Sequence, residues 1–474
     1  MRARSGPLAT LLAAALTTAG LAAPLLPGPA AADRAAPSGA VAGASERGGD
    51  HCARQGRLRV PGAEHQVVAC LDDLTTAGTT RSGHTNPEDW AGLHAPGTVN
   101  PTGVPGLQVD GYFPDTSTSN TNNGWRHDSQ FVIRLPEDWN GGLVVSGAPG
   151  TRRQYANDFV IGDRVLARGY AFAATDKGNN GATFYDDRSR PGGSIREWHQ
   201  RVTQLARAAK ATLQQRYGQR PGRTYMAGIS NGGYLVRWQL ENRPALYDGG
   251  LDWEGTLFRA EAPNLLTYLP TALREYPRYL AGSRAAERRM LRAGFEPGSQ
   301  FLWDFHYSVY WDLTQRVYRE ELDPTYDGPL KAGIPFCAPG TPACDADYDY
   351  ASRPRAVKQA VRSVELTGRI KRPLVTVHGT LDTLLPPALH GRAYERLVDR
   401  AGSGRLHRSY EIADGTHVDS LYATFPDRLR PLLPCATTGF DTLTAWVERG
   451  KRPPASRDVP RPTGTDLLGE CTLR

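Results

Sequence analysis

The chain has 474 residues, of which 39% are hydrophobic and 22% are charged, with a formal net charge of +7 at pH 7. This length predicts one large domain with insertions, or two domains. The 56 lysine and arginine residues are spread along the chain without a dense run, which indicates solvated surface and argues against a nucleic-acid partner.

The N-terminal residues have the pattern of a secretory signal peptide. Arg2 and Arg4 precede an apolar stretch from Leu8 to Ala23, and Ala30-Ala31-Ala32 offers a cleavage site of small residues. We therefore expect residues 1–32 to be removed and the mature protein to be extracellular. The apolar stretch is too short and too broken by proline to cross a membrane, and no other segment is long enough, so no membrane association is expected.

The cysteines of a secreted chain are expected to form disulfides, and there are six of them. Among the many connectivities, local spacing favours Cys52 with Cys70, Cys337 with Cys344, and Cys435 with Cys471. The acidic run from Asp345 to Asp349 lacks the glycine and the distant glutamate of an EF-hand loop, so it predicts an acidic turn and not a calcium site. No metal and no organic cofactor are expected.

The chain divides by pattern into an extension, an interrupted core and an insertion. Residues 33–125 are rich in glycine, proline and small polar residues, which predicts an irregular N-terminal extension. Residues 126–263 and 365–474 alternate short apolar runs with amphipathic stretches, with strands predicted at 130–135, 142–146, 170–175, 224–227, 374–377 and 406–412. This alternation predicts an α/β fold with a mostly parallel central sheet and helices on both faces.

The residues between the two core parts, 264–364, predict a helical insertion that is rich in aromatic side chains. One interpretation is an ordinary packed helical core. The other is a lid over a binding site, in which Trp303, Phe305, Tyr307 and Trp311 line a pocket for an apolar or aromatic substrate. Both interpretations can hold for different faces of one helix.

The stretch from Tyr225 to Gly233 reads YMAGISNGG, which is a short apolar strand, a G-x-S-x-G sequence and the start of a helix. This order predicts a sharp strand-to-helix turn that exposes the hydroxyl of Ser230 as a nucleophile. Gly228 and Gly232 have no side chain to crowd the bend. A serine held in this way can attack a carbonyl carbon if a histidine accepts its proton.

The partners of such a serine are expected at the ends of later strands. Asp382 lies just beyond the strand at 374–377, and His417 lies in a turn-rich loop directly after the strand at 406–412. We predict that His417 is the general base and that Asp382 orients it and stabilises its charged form. Further candidates are His390 in a predicted helix and His407 in a predicted strand for the base, and Asp252 and Glu254 for the acid.

An oxyanion site needs two backbone N–H groups directed at the developing negative oxygen. The first is predicted from Asn231, which follows the nucleophile. The second is expected from the loop after the strand at 142–146, where Pro149 has no N–H. Ala148 is the first choice for this second donor, and Gly150 is the second choice.

Several segments resemble the tannase and feruloyl-esterase branch of the α/β-hydrolases: LPEDWNGGLVVSGAPG, LARGYAFAATDKGN, YMAGISNGGY, HGTLDTLLPP, GTH and TAWVERGKRPP. Secreted hydroxybutyrate-oligomer hydrolases share parts of this layout, and the resemblance covers about residues 130–245 and 370–455. It implies an α/β-hydrolase fold and ester hydrolysis through an acyl-enzyme, with Ser230, Asp382 and His417 matching the triad. Tannase-type enzymes usually place paired cysteines beside the serine and the histidine, whereas this chain has Ile229, Thr416 and Val418 at these positions.

The sequence therefore predicts a secreted serine hydrolase that cleaves a carboxylic ester, either an aromatic ester or a hydroxyalkanoate oligomer. Two different functions stay open. An amidase or peptidase could use the same triad, because esters and amides both react through a tetrahedral oxyanion. A non-catalytic secreted binding protein could also retain this fold.

Overall fold

The computed structural model describes Cys52, Gly56 and residues 58–181, 191–326, 345–464 and 466–474. The predicted signal segment, residues 1–32, and the predicted Cys337–Cys344 bridge lie outside the described residues. The two other predicted disulfides, Cys52–Cys70 and Cys435–Cys471, are confirmed. Among the helices that the structure describes, none combines the length and the apolar character that crossing a membrane requires.

The strands of the described chain are β1 (His65–Leu71), β2 (Gly106–Tyr112), β3 (Gln130–Pro136), β4 (Gly142–Gly147), β5 (Ala171–Thr175), β6 (Arg223–Ile229), β7 (Gly249–Trp253), β8 (Leu374–Gly379), β9 (His407–Ile412) and β10 (Arg457–Val459). They form one sheet in the order β1-β2-β3-β5-β4-β6-β7-β8-β9-β10. The β1–β2, β2–β3 and β3–β5 pairs are antiparallel, and every later pair in this order is parallel. The predicted mostly parallel sheet is therefore confirmed.

The α-helices are α1 (Thr76–Arg81), α2 (Asp163–Leu166), α3 (Gly193–Tyr217), α4 (Asn231–Asn242), α5 (Leu269–Leu280), α6 (Arg284–Arg292), α7 (Trp303–His306), α8 (Asp312–Leu322), α9 (Arg355–Arg362), α10 (Gly391–Arg400) and α11 (Leu433–Arg449). The core strands are mostly apolar, and every residue of β4, β5, β7 and β8 is buried. Burial on both faces is the usual state of a parallel sheet.

Helices cover both faces of the sheet, as the alternation of side chains along one strand demonstrates. Val145 of β4 lies in an apolar cluster with Leu205 of α3, whereas its neighbour Val144 lies in a second cluster with Phe440 of α11. Successive side chains of a strand point to opposite faces, so the two clusters are the two sides of one sheet. The α/β fold predicted from the sequence, with helices on both faces of a mostly parallel sheet, is confirmed.

The predicted extension and the predicted insertion add further elements to the two parts of the predicted core. Residues 58–125 of the predicted extension supply β1 and β2, which extend the antiparallel edge beside β3. The predicted insertion runs between β7 and β8 and contains α5 to α9. Within it, α7, a π-helical turn at Tyr307–Trp311 and α8 follow one another without a break. This long helical rod lies beside the carboxyl ends of the parallel strands.

Candidate active site

Ser230 occupies the sharp turn between β6 and α4. Its backbone is left-handed, with φ 59° and ψ −118°, which is uncommon for a residue with a side chain. A Cβ on Gly228 would lie 2.5 Å from the backbone of Gly232, and a Cβ on Gly232 would lie 2.6 Å from the carbonyl oxygen of Gly147. Both glycines are therefore required, because the chain closes too tightly for any side chain there.

His417 joins Ser230 to Asp382 in a continuous hydrogen-bonded row. The Nε2 atom of His417 lies 3.1 Å from Ser230 Oγ, and its Nδ1 atom lies 2.8 Å from Asp382 Oδ2. A neutral imidazole that donates its Nδ1–H to the carboxylate leaves Nε2 free to accept the serine proton. Serine and histidine are 187 positions apart in the chain, and the ends of three parallel strands bring the row together.

Asp382 lies just after β8 and its side chain is fully buried. Its Oδ1 atom accepts the N–H groups of Leu384 and Leu385, each at 2.8 Å, while Oδ2 faces His417. Burial by itself would raise the pKa of Asp382, but the charge and hydrogen bond of His417, with a backbone hydrogen bond, hold that pKa well below its usual range. The carboxylate is thus charged and fixed in orientation.

Glu254, one of the further acids considered from the sequence, lies close to the same imidazole without a hydrogen bond to it. Its Oε2 atom is 3.8 Å from His417 Nδ1, and its Oε1 atom accepts the N–H of Gly379 at 2.9 Å. Burial first, and the charge of Asp382 second, raise the pKa of Glu254 well above its usual value. Glu254, Asp382 and His417 offer donor atoms within 4.8 Å of one another, a spacing that could suit a metal ion but that the His417–Asp382 hydrogen bond already accounts for.

Asp252, His390 and His407 have structural partners away from the nucleophile. Asp252 pairs with Arg237 in the core, with Nε 2.7 Å from Oδ2. His390 accepts the N–H of Leu257 through Nδ1, and its Nε2 lies 2.9 Å from a tyrosine hydroxyl. His407 is bonded to the hydroxyl of a threonine in β8 at 2.9 Å. None of these three side chains reaches Ser230, because each is already engaged in packing the sheet.

The three predicted oxyanion donors are not equally suited to bind an oxyanion. Asn231 is the first residue of α4, where backbone N–H groups have no partner within the helix. The N–H of Ala148, the first choice for the second donor, instead donates to the carbonyl of Thr175 at 3.0 Å. That bond continues the β4–β5 pairing and removes Ala148 as a donor. Gly150 is the better candidate: its carbonyl accepts from Lys177 Nζ at 3.2 Å and from the Asn231 amide at 3.4 Å, which holds the loop beside Ser230.

The four aromatic residues predicted to line a pocket in the insertion do not share one environment. Trp311 is fully buried and donates its indole N–H to the carbonyl of Thr383 at 2.8 Å, directly beside the predicted acid. Trp303 is also fully buried but donates to Ser299 within the insertion. Phe305 and Tyr307 are half-buried. Trp311 is thus brought to the site, whereas Trp303 packs the core of the insertion.

Two further polar residues of this rod, His306 and Gln315, were not singled out from the sequence. Both are fully buried. Burial lowers the pKa of His306 to about 3, and the charges of Asp382 and His417 act on its ring. The signal that could have found Gln315 is its spacing of four residues from Trp311, whereas His306 is aligned with Trp311 by a π-helical turn that ordinary helical spacing does not predict. A groove of about 380 Å³ on α3 and α4, lined by His199 and Trp238 among others, includes no residue of the Ser230–His417–Asp382 row.

Comparison with known proteins agrees with this geometry. Residues 116–251 match the family model described as tannase and feruloyl esterase, and residues 343–468 match the model described as 3HB-oligomer hydrolase. Feruloyl esterase B from Aspergillus oryzae superposes with a TM-score of 0.52 at 11% identity, over 85% of this chain and 91% of that one. The structure and these matches show an α/β-hydrolase-type fold.

Its sequence is similar to two curated proteins over part of its length. Mono(2-hydroxyethyl) terephthalate hydrolase of Piscinibacter sakaiensis is 26% identical over 140 residues, which are 27% of this chain and 23% of that protein. D-(-)-3-hydroxybutyrate oligomer hydrolase of Polaromonas naphthalenivorans (strain CJ2) is 35% identical over 116 residues, 23% of this chain and 16% of that protein. Each match spans less than a quarter of the relative's length. The chain thus resembles the tannase, feruloyl-esterase and hydroxybutyrate-oligomer hydrolase branch, as its motifs predicted.

Proposed function

We propose that this protein hydrolyses carboxylic esters through an acyl-enzyme formed on Ser230. The observation that carries the proposal is the row of Ser230, His417 and Asp382, joined at 3.1 Å and 2.8 Å at one edge of the sheet. A nucleophile within hydrogen-bond reach of a base, which a third group orients, is the arrangement of a serine hydrolase. The family matches and the curated relatives, all named as ester or oligomer hydrolases, support the same class of reaction.

The reaction follows from the position of each group. Ser230 Oγ attacks the ester carbonyl carbon while His417 Nε2 accepts its proton, and the N–H groups of Asn231 and Gly150 bind the resulting oxyanion. The imidazolium, stabilised by Asp382, then protonates the leaving alcohol as the carbon–oxygen bond breaks. A water molecule attacks the acyl-enzyme in the same way, and its proton returns through His417 to Ser230.

The relatives support two classes of ester as substrates. One is named for a terephthalate monoester and the other for 3-hydroxybutyrate oligomers, so we infer an aromatic ester or a hydroxyalkanoate oligomer. We further propose that the enzyme acts outside the cell. The predicted signal segment and the two disulfides of the described chain support this location, because disulfides persist in oxidising compartments.

The test is a fluorophosphonate probe followed by a substrate panel on the wild type, Ser230→Ala and Ser308→Ala. Ser308 is an exposed serine of the insertion and serves as the matched control. We expect covalent labelling and ester hydrolysis in the wild type and the control, and neither in Ser230→Ala. Faster cleavage of a p-nitroanilide than of the matching p-nitrophenyl ester would favour an amidase, and an unlabelled, inactive wild type would favour a binding protein.

A further inference from the structure

One face of the rod formed by α7, the π-helical turn and α8 is directed at the catalytic edge of the sheet. Trp311 bonds the carbonyl of Thr383 at 2.8 Å, and two turns later Tyr318 bonds the side chain of Asn231, the residue after the nucleophile. Gln315 lies four positions after Trp311 and three before Tyr318. Residues at these spacings share one helix face, so Gln315 faces the same edge as both contacts.

His306 lies on this face for a less common reason. The residues that follow it, Tyr307–Trp311, form a π-helical turn, in which positions five apart align in place of four apart. His306 is five positions before Trp311, and the two rings have centroids 6.1 Å apart. The charges of Asp382 and His417 both act on the His306 ring, so this ring lies within electrostatic range of the acid and the base of the site.

His306 and Gln315 share an unusual feature. Each side chain is fully buried, and both ring nitrogens of His306 and both amide atoms of Gln315 have no hydrogen-bond partner among the residues that the structure describes. Buried polar atoms in native proteins are nearly always paired, since an unpaired one costs folding free energy. Two such side chains on the helix face that contacts Thr383 and Asn231 indicate that the partner is a ligand.

We propose that His306 and Gln315 form a polar wall of the substrate pocket and select esters that carry a neutral hydroxyl group on the acyl group. This inference rests on the ester hydrolysis proposed above. A neutral imidazole has one N–H donor and one nitrogen acceptor, and a glutamine amide has an NH₂ donor and an oxygen acceptor. A hydroxyl both donates and accepts, so it satisfies such a wall. A carboxylate only accepts and would face the two acceptor atoms without a proton to share.

The test compares pairs of esters that differ by one hydroxyl: methyl 3-hydroxybutyrate with methyl butyrate, and methyl 4-hydroxycinnamate with methyl cinnamate. Monomethyl succinate supplies the carboxylate arm. The variants are Gln315→Leu and His306→Phe, with Ser308→Ala as the control on the exposed side of the same rod. Thermal unfolding is measured for each variant, and we expect no loss of stability in Gln315→Leu, because it removes an unpaired buried amide.

We expect the wild type to prefer the hydroxylated member of at least one pair, and to hydrolyse monomethyl succinate more slowly than that ester. In Gln315→Leu and His306→Phe, kcat/KM for the hydroxylated ester falls about tenfold, the size of one lost hydrogen bond, while its partner changes less than about threefold. Equal losses on both members of the pair, or a wild type without preference, would overturn the polar wall and leave ester hydrolysis intact. A wild type that hydrolyses none of the five esters refutes the proposed function and the wall with it.

Discussion

The substitution Asp382→Asn keeps the shape of the side chain but removes the acceptor that orients His417. The side-chain oxygen of the asparagine can still accept the N–H groups of Leu384 and Leu385, so the amide NH₂ must take the place of Oδ2 opposite His417. An NH₂ group is a donor, so Nδ1 of the imidazole has to accept. The ring proton then moves to Nε2, where it faces the oxygen of Ser230 at 3.1 Å and prevents that nitrogen from accepting the serine proton.

The expected cost is large because the base is held in the wrong tautomer in nearly every molecule. A change of this kind in a serine triad lowers kcat about 10⁴-fold, which at 1.36 kcal/mol per factor of ten is about 5.4 kcal/mol of transition-state stabilisation. Glu254 does not replace the lost carboxylate. Its Oε2 atom is 3.8 Å from Nδ1, beyond hydrogen-bond distance, and its burial, the largest cause of its raised pKa, is unchanged by the substitution and disfavours its charged form.

The assay is kcat and KM on the best ester of the panel, with Asp427→Asn as the control, since Asp427 is an exposed aspartate away from the row. We expect a loss of about 10⁴-fold in kcat with little change in KM for Asp382→Asn, and activity near that of the wild type for Asp427→Asn. A loss below about tenfold in a folded Asp382→Asn variant refutes the assignment. If Glu254→Gln then showed the large loss, the acid of the triad would be Glu254.

Three further substitutions test the surroundings of the row. Glu254→Gln should keep kcat/KM within about threefold at pH 7. Because burial raises the folded-state pKa of this carboxyl, the folded state holds a proton that the unfolded state releases. The unfolding temperature of the wild type should therefore fall relative to that of the variant as pH rises above about 4.3. Gly228→Ala should lower the free energy of unfolding in urea by at least about 1–3 kcal/mol, because its Cβ would lie 2.5 Å from the backbone. The control Gly222→Ala, whose Cβ would lie 3.9 Å from the nearest atom, should change that free energy by less than about 0.5 kcal/mol. Arg237→Met should cost about 3–5 kcal/mol by leaving Asp252 buried without its partner, and adding Asp252→Asn should recover part of that loss in the same measurement.

The sequence was sufficient for strands β3, β4, β5, β6, β8 and β9 and for the location of Ser230, Asp382 and His417, because both depend on local patterns. It predicts an irregular extension where β1 and β2 lie. A strand followed by a glycine-rich turn and a helix has few possible geometries, so the turn at Ser230 could be predicted from the short stretch Tyr225 to Gly233. Asp382 and His417 could be placed because each follows its own strand, and parallel strands end at one edge. The disulfides Cys52–Cys70 and Cys435–Cys471 join residues near in sequence.

The position of Ala148 shows why the oxyanion donors were harder to predict. Its N–H is used by the carbonyl of Thr175, which belongs to the neighbouring strand β5. Whether a pairing of two strands ends one residue earlier or later is decided by the register between them. No pattern within the loop from Ala148 to Gly150 records that register, so the sequence gives no reason to prefer Gly150.

The insertion shows a second limit of prediction from sequence. With the ordinary helical period, the residue one turn before Trp311 is Tyr307, which is one of the residues predicted to line a pocket. The π-helical turn shifts the alignment by one position and brings His306 next to Trp311, while Tyr307 packs against Tyr276 with ring centroids 4.7 Å apart. A single extra residue in a helical turn cannot be recognised reliably from the sequence. It nevertheless places the polar His306, in place of the aromatic Tyr307, on the same helix face as Trp311.

Several costly features of this molecule lie at the catalytic edge of the sheet, and they support the site without the use of the motif. Ser230 and Glu254 both have left-handed backbones, with φ of 59° and 50°. Glu254 Oε2, His306 and Gln315 present buried polar atoms without partners among the described residues. Strain and unpaired polar groups persist where the surrounding structure fixes them, and here fully buried β7 and β8 do so. The proposed ester pocket would account for these costs at this edge, because it gives the unpaired polar groups a ligand to contact.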